Sequence, residues 1–122
     1  MTVIDLVDET FIRAPLQVVT DAVHEDTRWP VWWPDLTLTV FQDRGSKGIR
    51  WSVTGGLVGS MEVWLEPYRE GVILHHYLRA DPVDDQGDTE PAVVSGRRAA
   101  ALLHTRQRGA KRIFWALKDE LE

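Results

Sequence analysis

Between Leu36 and Ala80, apolar and polar residues alternate through four short runs: Leu36 to Gln42, Ile49 to Thr54, Val58 to Glu66 and Val72 to Ala80. Successive side chains of a strand point to opposite faces, so a period of two marks strands with one face buried. One face would carry Leu36, Leu38, Val40, Ile49, Trp51, Val53, Met61, Val63, Leu65, Val72, Leu74, His76 and Leu78, and twelve of these thirteen positions are apolar. The other would carry Arg50, Ser52, Glu62, Glu66, His75 and Arg79, together with Phe41, Trp64, Ile73 and Tyr77. The separators, Asp43 to Gly48, Gly55-Gly56 and Glu70-Gly71, are rich in the residues that turns require. This spacing predicts an antiparallel meander whose single apolar face must be covered by something else in the chain.

The cover is found at the carboxy terminus. From about Ser95 the chain contains no proline, and Ala99, Leu102, Leu103, Ala110, Ile113, Phe114, Leu117 and Leu121 fall on one helical face, with Ser95 placed to cap the amino end. Upstream, Thr2 to Arg13 reads as a strand, and Pro15 starts a short amphipathic helix through about Glu25. Arg28 to Pro34 holds three tryptophans and two prolines, which limits it to a turn or two of helix and makes it a compact aromatic plug. Residues 81–94, acidic at Asp81, Asp84, Asp85, Asp88 and Glu90, are expected to form a mobile loop that ends the sheet. The expected fold is α+β over a single domain, residues 1–122. A curved antiparallel sheet of about five strands, in the order β-α-α-β-β-β-β-α, wraps around the long last helix.

Composition excludes several functions. The chain has no cysteine, which removes disulfides, thiolate metal sites and cysteine nucleophiles. No apolar run approaches the roughly 20 residues that cross a bilayer, and no export signal opens the chain, so the expectation is a cytoplasmic protein without a membrane span. The net charge of −5 is matched by the five acids between Asp81 and Glu90. From Arg97 on, seven basic residues are mixed with three acidic ones, too mixed for a nucleic-acid footprint. No carboxylates stand at ligand spacing, so neither a metal nor a cofactor is expected.

The element order, with Phe11 to Pro15, Arg28 to Pro34 and Arg112 to Lys118, resembles the START-like superfamily, the helix-grip fold of polyketide cyclase/dehydrase and lipid-transport type. Within it the chain is most similar to small actinobacterial polyketide cyclase-like proteins. The resemblance implies an apolar cavity between sheet and last helix that takes lipids, sterols, polyketides or plant hormones. Relatives use seven strands; five are counted here, one hairpin fewer.

Under that resemblance Trp32 and Trp33 sit where relatives place aromatics at the cavity mouth, although indoles there could simply plug the open end of the sheet. Trp51 and Met61, on the inner face, are either pocket wall or ordinary core. His76 is the one polar inner-face side chain and could bond a ligand oxygen or move a proton; the plain alternative is a core histidine bonded to backbone. Arg106 interrupts the apolar stripe of the last helix, where it could anchor a ligand carboxylate or phosphate, or pair with an acid of the protein. Gly109, one turn on, would allow close approach. The glycines at Gly55, Gly56 and Gly59 read as a flexible hairpin tip, a candidate gate. Trp64, Tyr77 and Trp115 fall on outer faces and suggest a homodimer, although either indole could instead lie flat under arginine side chains on a monomer.

Paired inner carboxylates, a nucleophile elbow and a phosphate loop are all missing from the sequence, so the reading leans away from catalysis. The leading expectation is binding of a hydrophobic or amphipathic small molecule by Trp32, Trp33, Trp51, Met61, His76 and Arg106. A cyclase or aromatase-like enzyme and an interaction protein with a filled core stay open as alternatives.

Overall fold

A computed structural model describes residues 3–83 and 94–122. The alternating runs form an antiparallel sheet: β1 (Ile4–Ile12), β2 (Leu36–Asp43), β3 (Gly48–Gly55), β4 (Leu57–Tyr68) and β5 (Gly71–Pro82). Its spatial order is β1-β5-β4-β3-β2, so the four meander strands pair in sequence and β1 closes on β5. Between β1 and β2 lie helices α1 (Leu16–Val23) and α2 (Trp29–Trp32), the latter entered through a single 3-10 turn. The long α3 (Gly96–Leu121) follows β5 and is capped by Ser95, whose hydroxyl accepts from the Arg98 amide at 3.2 Å.

Register carries the inner face across the sheet. Trp51 stands opposite Met61 and Met61 opposite Leu78, while Val63 stands opposite His76. All ten inner positions of β3, β4 and β5 are buried, joined by Ile4, Leu6 and Ile12 of β1 and by Val19 and Val23 of α1. Burial of this apolar surface is the main stabilising contribution, about 1.5–3 kcal/mol for each large side chain fully buried. Two glycines are dictated by backbone. Gly48, at φ +124°, passes so close to the Val63 carbonyl that no Cβ would fit, and Gly55, at φ +96°, turns the tight β3–β4 hairpin.

The structure corrects the expected pattern at three places. Asp81 and Pro82 extend β5 instead of opening a loop, and the Asp81 carboxylate accepts from the Val3 amide at 2.7 Å. Residues 84–93 of the expected acidic loop lie outside the described residues. In β2 the alternation persists but the cover does not: Leu36 is buried, Leu38 half-buried and Val40 41% exposed. A bulge at Phe41 shifts the register between Val40 and Gln42, leaving Phe41 57% exposed. Trp64 and Tyr77 do not protrude from the outer face as expected. His75 lies stacked between them, 4.2 Å from the Trp64 ring and 6.3 Å from the Tyr77 ring, with Glu66 at 2.9 Å and Glu9 at 3.3 Å from its nitrogens.

Candidate functional site

The Trp-Pro segment places its indoles because Pro30 sits near the start of α2 and Pro34 follows Trp33, confining the helix to Trp29–Trp32. From this short scaffold Trp29 points down to Trp51 (centroids 5.2 Å), and the Trp29 indole N–H donates to the Val23 carbonyl at 2.9 Å. Trp33 reaches further in. It meets Trp51 edge-on at 5.8 Å and lies parallel to the His76 ring at 5.7 Å, while Phe114 of α3 closes the cluster 5.2 Å from His76. Offset and edge-on rings of this kind contribute about 0.5–1.5 kcal/mol per pair beyond the area they bury.

Above the aromatic cluster the packing stops. A cavity of about 310 Å3 opens between Trp32, Trp33, Leu78, Leu102, Ile113 and His76, rimmed by Asp35, Thr105, Arg106 and Arg112. Gly109 and Ala110 line it from the helix, where the missing and short side chains leave room. Leu102 and Leu103 continue the apolar stripe of α3 but are only half-buried, packed against the edge of the core.

His76 is 1% exposed, and burial lowers its pKa to about 3, opposed only by a hydrogen bond to the Glu62 backbone. The ring is therefore neutral at physiological pH. The ring nitrogen Nδ1 is buried with no hydrogen-bond partner among the described residues. Among the described residues lining the cavity it is the one buried polar side-chain atom left unpaired.

Arg106 does turn toward the cavity rim, and it is already paired. Its guanidinium donates to both Asp35 oxygens, at 3.2 and 2.5 Å, tying α3 to the turn before β2. The same Asp35 accepts the Gly56 amide on its backbone oxygen at 2.8 Å, and a Cβ on Gly56 would meet its carboxylate. The glycine hairpin tip is thus pinned to the rim and is not a free gate.

Of the six residues singled out from sequence, Trp32, Trp33, His76 and Arg106 line one cavity. Trp51 and Met61 lie beneath it in the core, 0% and 2% exposed. Asp35, Thr105 and Leu78 line it without having been singled out. Asp35 had no local signal, since its partner stands 71 residues away; only the need of Arg106 for a counter-charge could have pointed to it. Among the described residues no cluster of three or more His, Asp or Glu side chains could hold a metal ion, and no helix is long and apolar enough to cross a membrane.

No family model matches the sequence, and no curated protein matches it. Solved structures do. The chain is similar over its whole length to a Bacillus halodurans protein at 16% identity, covering all of both chains with a TM-score of 0.73. It is similar to a Polyketide_cyc-like protein from Corynebacterium glutamicum at 18% identity, over 100% of this chain and 95% of that one, with a TM-score of 0.57. A START superfamily protein from Mycobacterium smegmatis matches at 10% identity, over 97% and 99% of the two chains, with a TM-score of 0.59. The fold is the START-like helix grip, in a five-stranded form.

Proposed function

We propose that the chain binds a flat, largely apolar small molecule that carries a hydroxyl or N–H donor, held between Trp32, Trp33, Leu78 and the stretch of α3 from Leu102 to Ile113, with its donor on His76 Nδ1. The observation that carries this reading is the conjunction of a largely apolar cavity with a lining histidine, His76, whose Nδ1 is buried and unpaired. Leaving a buried polar atom unpaired costs about 1–3 kcal/mol, which a ligand donor would recover. The volume is at the lower end of the roughly 300–1,000 Å3 typical of small-molecule sites, which favours one or two fused rings over a long acyl chain.

The paired state of Arg106 shifts the expected ligand away from acids. A carboxylate or phosphate would have to displace Asp35 from a two-pronged contact, whereas a neutral ligand leaves that contact in place. A cyclase reading would need Arg106 free to take up enolate charge, so binding without turnover is the better supported of the two.

2-Naphthol and 2-methoxynaphthalene provide the test, since they share a ring system and differ in the donor. Calorimetric titration should give at least about a tenfold preference for 2-naphthol in the wild type, and that preference should vanish in His76→Phe. Equal affinities in the wild type, or an undiminished preference in the variant, would remove His76 from the site.

A further inference from the structure

The two edges of the sheet are finished in opposite ways. Along β1, two outward carbonyls are taken up by side chains: those of Glu9 and Phe11 accept from Lys111 and Lys118 at 2.8 and 2.9 Å. Just past its ends, the Arg13 amide donates to Glu122 at 2.9 Å and the Val3 amide to Asp81 at 2.7 Å. Asp5, Asp8 and Glu9 add charges that resist pairing with another strand. Along β2 none of this is present. Among the described residues, no hydrogen bond outside the β2–β3 ladder reaches the backbone of residues 37–41, and Leu36 to Gln42 holds no charged side chain. Val40 and Phe41 are exposed on this edge, and beside it a largely apolar groove of about 410 Å3 lies between Trp29, Pro30, Leu36, Thr37 and Leu38, with Asp26 at its rim.

We propose that the β2 edge is the contact surface for a second copy of this chain, the two β2 strands pairing antiparallel about a two-fold axis at Leu38. This proposal stands independently of the ligand. The register is chosen by self-complementarity: with Leu38 opposite the partner's Leu38, Leu36 meets the partner's Val40 on the inner face, and Thr37 meets the partner's Thr39 on the outer face. Apolar side chains oppose apolar ones, threonine opposes threonine, and no like charges meet. The bulge at Phe41 limits the regular pairing to residues 36–40, and within that span the partner's Val40 comes to lie at the groove beside Leu36. A two-fold contact through Trp115 is disfavoured by comparison, since Arg108, Lys111 and Arg112 surround that indole and would face their own copies. Trp64 is committed to its stack with His75.

The test uses a charge swap at two exposed positions that leave the core untouched. Sedimentation velocity should show the wild type dimerising at concentrations below about 1 mM. Thr37→Lys with Thr39→Lys, and separately Thr37→Glu with Thr39→Glu, should each weaken the dimer by at least about tenfold, because like charges then stand directly opposite across the axis. Mixing the two variants one to one should restore dimers of mixed composition, which misfolded proteins would not do. A wild type that stays monomeric throughout this range overturns the proposal. So does a dimer that both charge variants leave unchanged, or one that is lost instead in Trp115→Ala.

Discussion

The carboxy-terminal and amino-terminal halves of α3 share one apolar stripe yet stand in different surroundings. In the former, Ala110, Phe114 and Leu117 are buried, and polar side chains fasten the helix on both flanks. Lys111 and Lys118 bond the β1 backbone, and Glu120 receives the Arg28 guanidinium at 3.0 and 2.6 Å. That pairing holds the Glu120 carboxyl below its usual range and pushes the Arg28 guanidinium up. The amino-terminal half carries Leu102 and Leu103 half-buried and has a single ion pair to the rest of the described fold, Arg106 with Asp35. The carboxy-terminal end clamps the sheet while the stretch from Leu102 to Ile113 roofs a cavity, so a continuous pattern in sequence does not imply a continuous function along the helix.

Truncating each half should separate these roles. Phe114→Ala removes a ring packed against Trp32, Trp33 and His76 and should cost about 3–5 kcal/mol in denaturant unfolding. Leu102→Ala, at the half-buried roof, should cost about 1 kcal/mol or less and act instead on naphthol affinity. Equal costs for the two would erase the distinction.

Acid should expose the junction between the halves, where His76 sits. Its folded pKa lies near 3, below the 6.5 of a free imidazole. Above about pH 6.5 folded and unfolded chains bind equally few protons there, and the stabilising effect of a neutral His76 is complete. As pH falls from 6.5 toward 3, the unfolded chain takes up a proton that the folded one excludes, and stability declines by up to about 1.4 kcal/mol per pH unit from this group. His76→Phe should flatten that segment of the pH–stability profile. A profile unchanged by the substitution would mean that His76 is not held neutral.

The smallest effect is expected at the rim. Arg106→Gln removes a pair whose acid is half in solvent and should change stability by about 0–1 kcal/mol. Its naphthol affinity should stay within about threefold of wild type, since a neutral ligand does not use the guanidinium. A large affinity loss would return Arg106 to the role of ligand anchor.

Most of the fold could be read from alternation because burial on one face imposes it: Trp51, Val63 and Leu74 had to point the same way. The stripe of α3 and the Ser95 cap were legible for the same reason, as local periodicity and local chemistry. Depth was not legible. Trp51 and Trp33 carry the same side chain, and only the stacking of α2 over β3 decides that one is floor and the other wall. Nor could alternation reveal that Val40 lacks a cover, since strand period records which face a residue takes and not whether another element reaches it. Asp35 and Arg106 find each other only through the fold.

The most direct test of the site is the nitrogen NMR spectrum of the His76 ring as 2-naphthol is added at neutral pH. The account predicts that in the free protein Nε2 carries the proton and Nδ1 shows the shift of a bare lone pair, which moves upfield as the naphthol hydroxyl bonds to it, in step with Leu102, Thr105 and Gly109. A ring already protonated at Nδ1, or one whose resonances stay fixed while naphthol binds elsewhere, would contradict it.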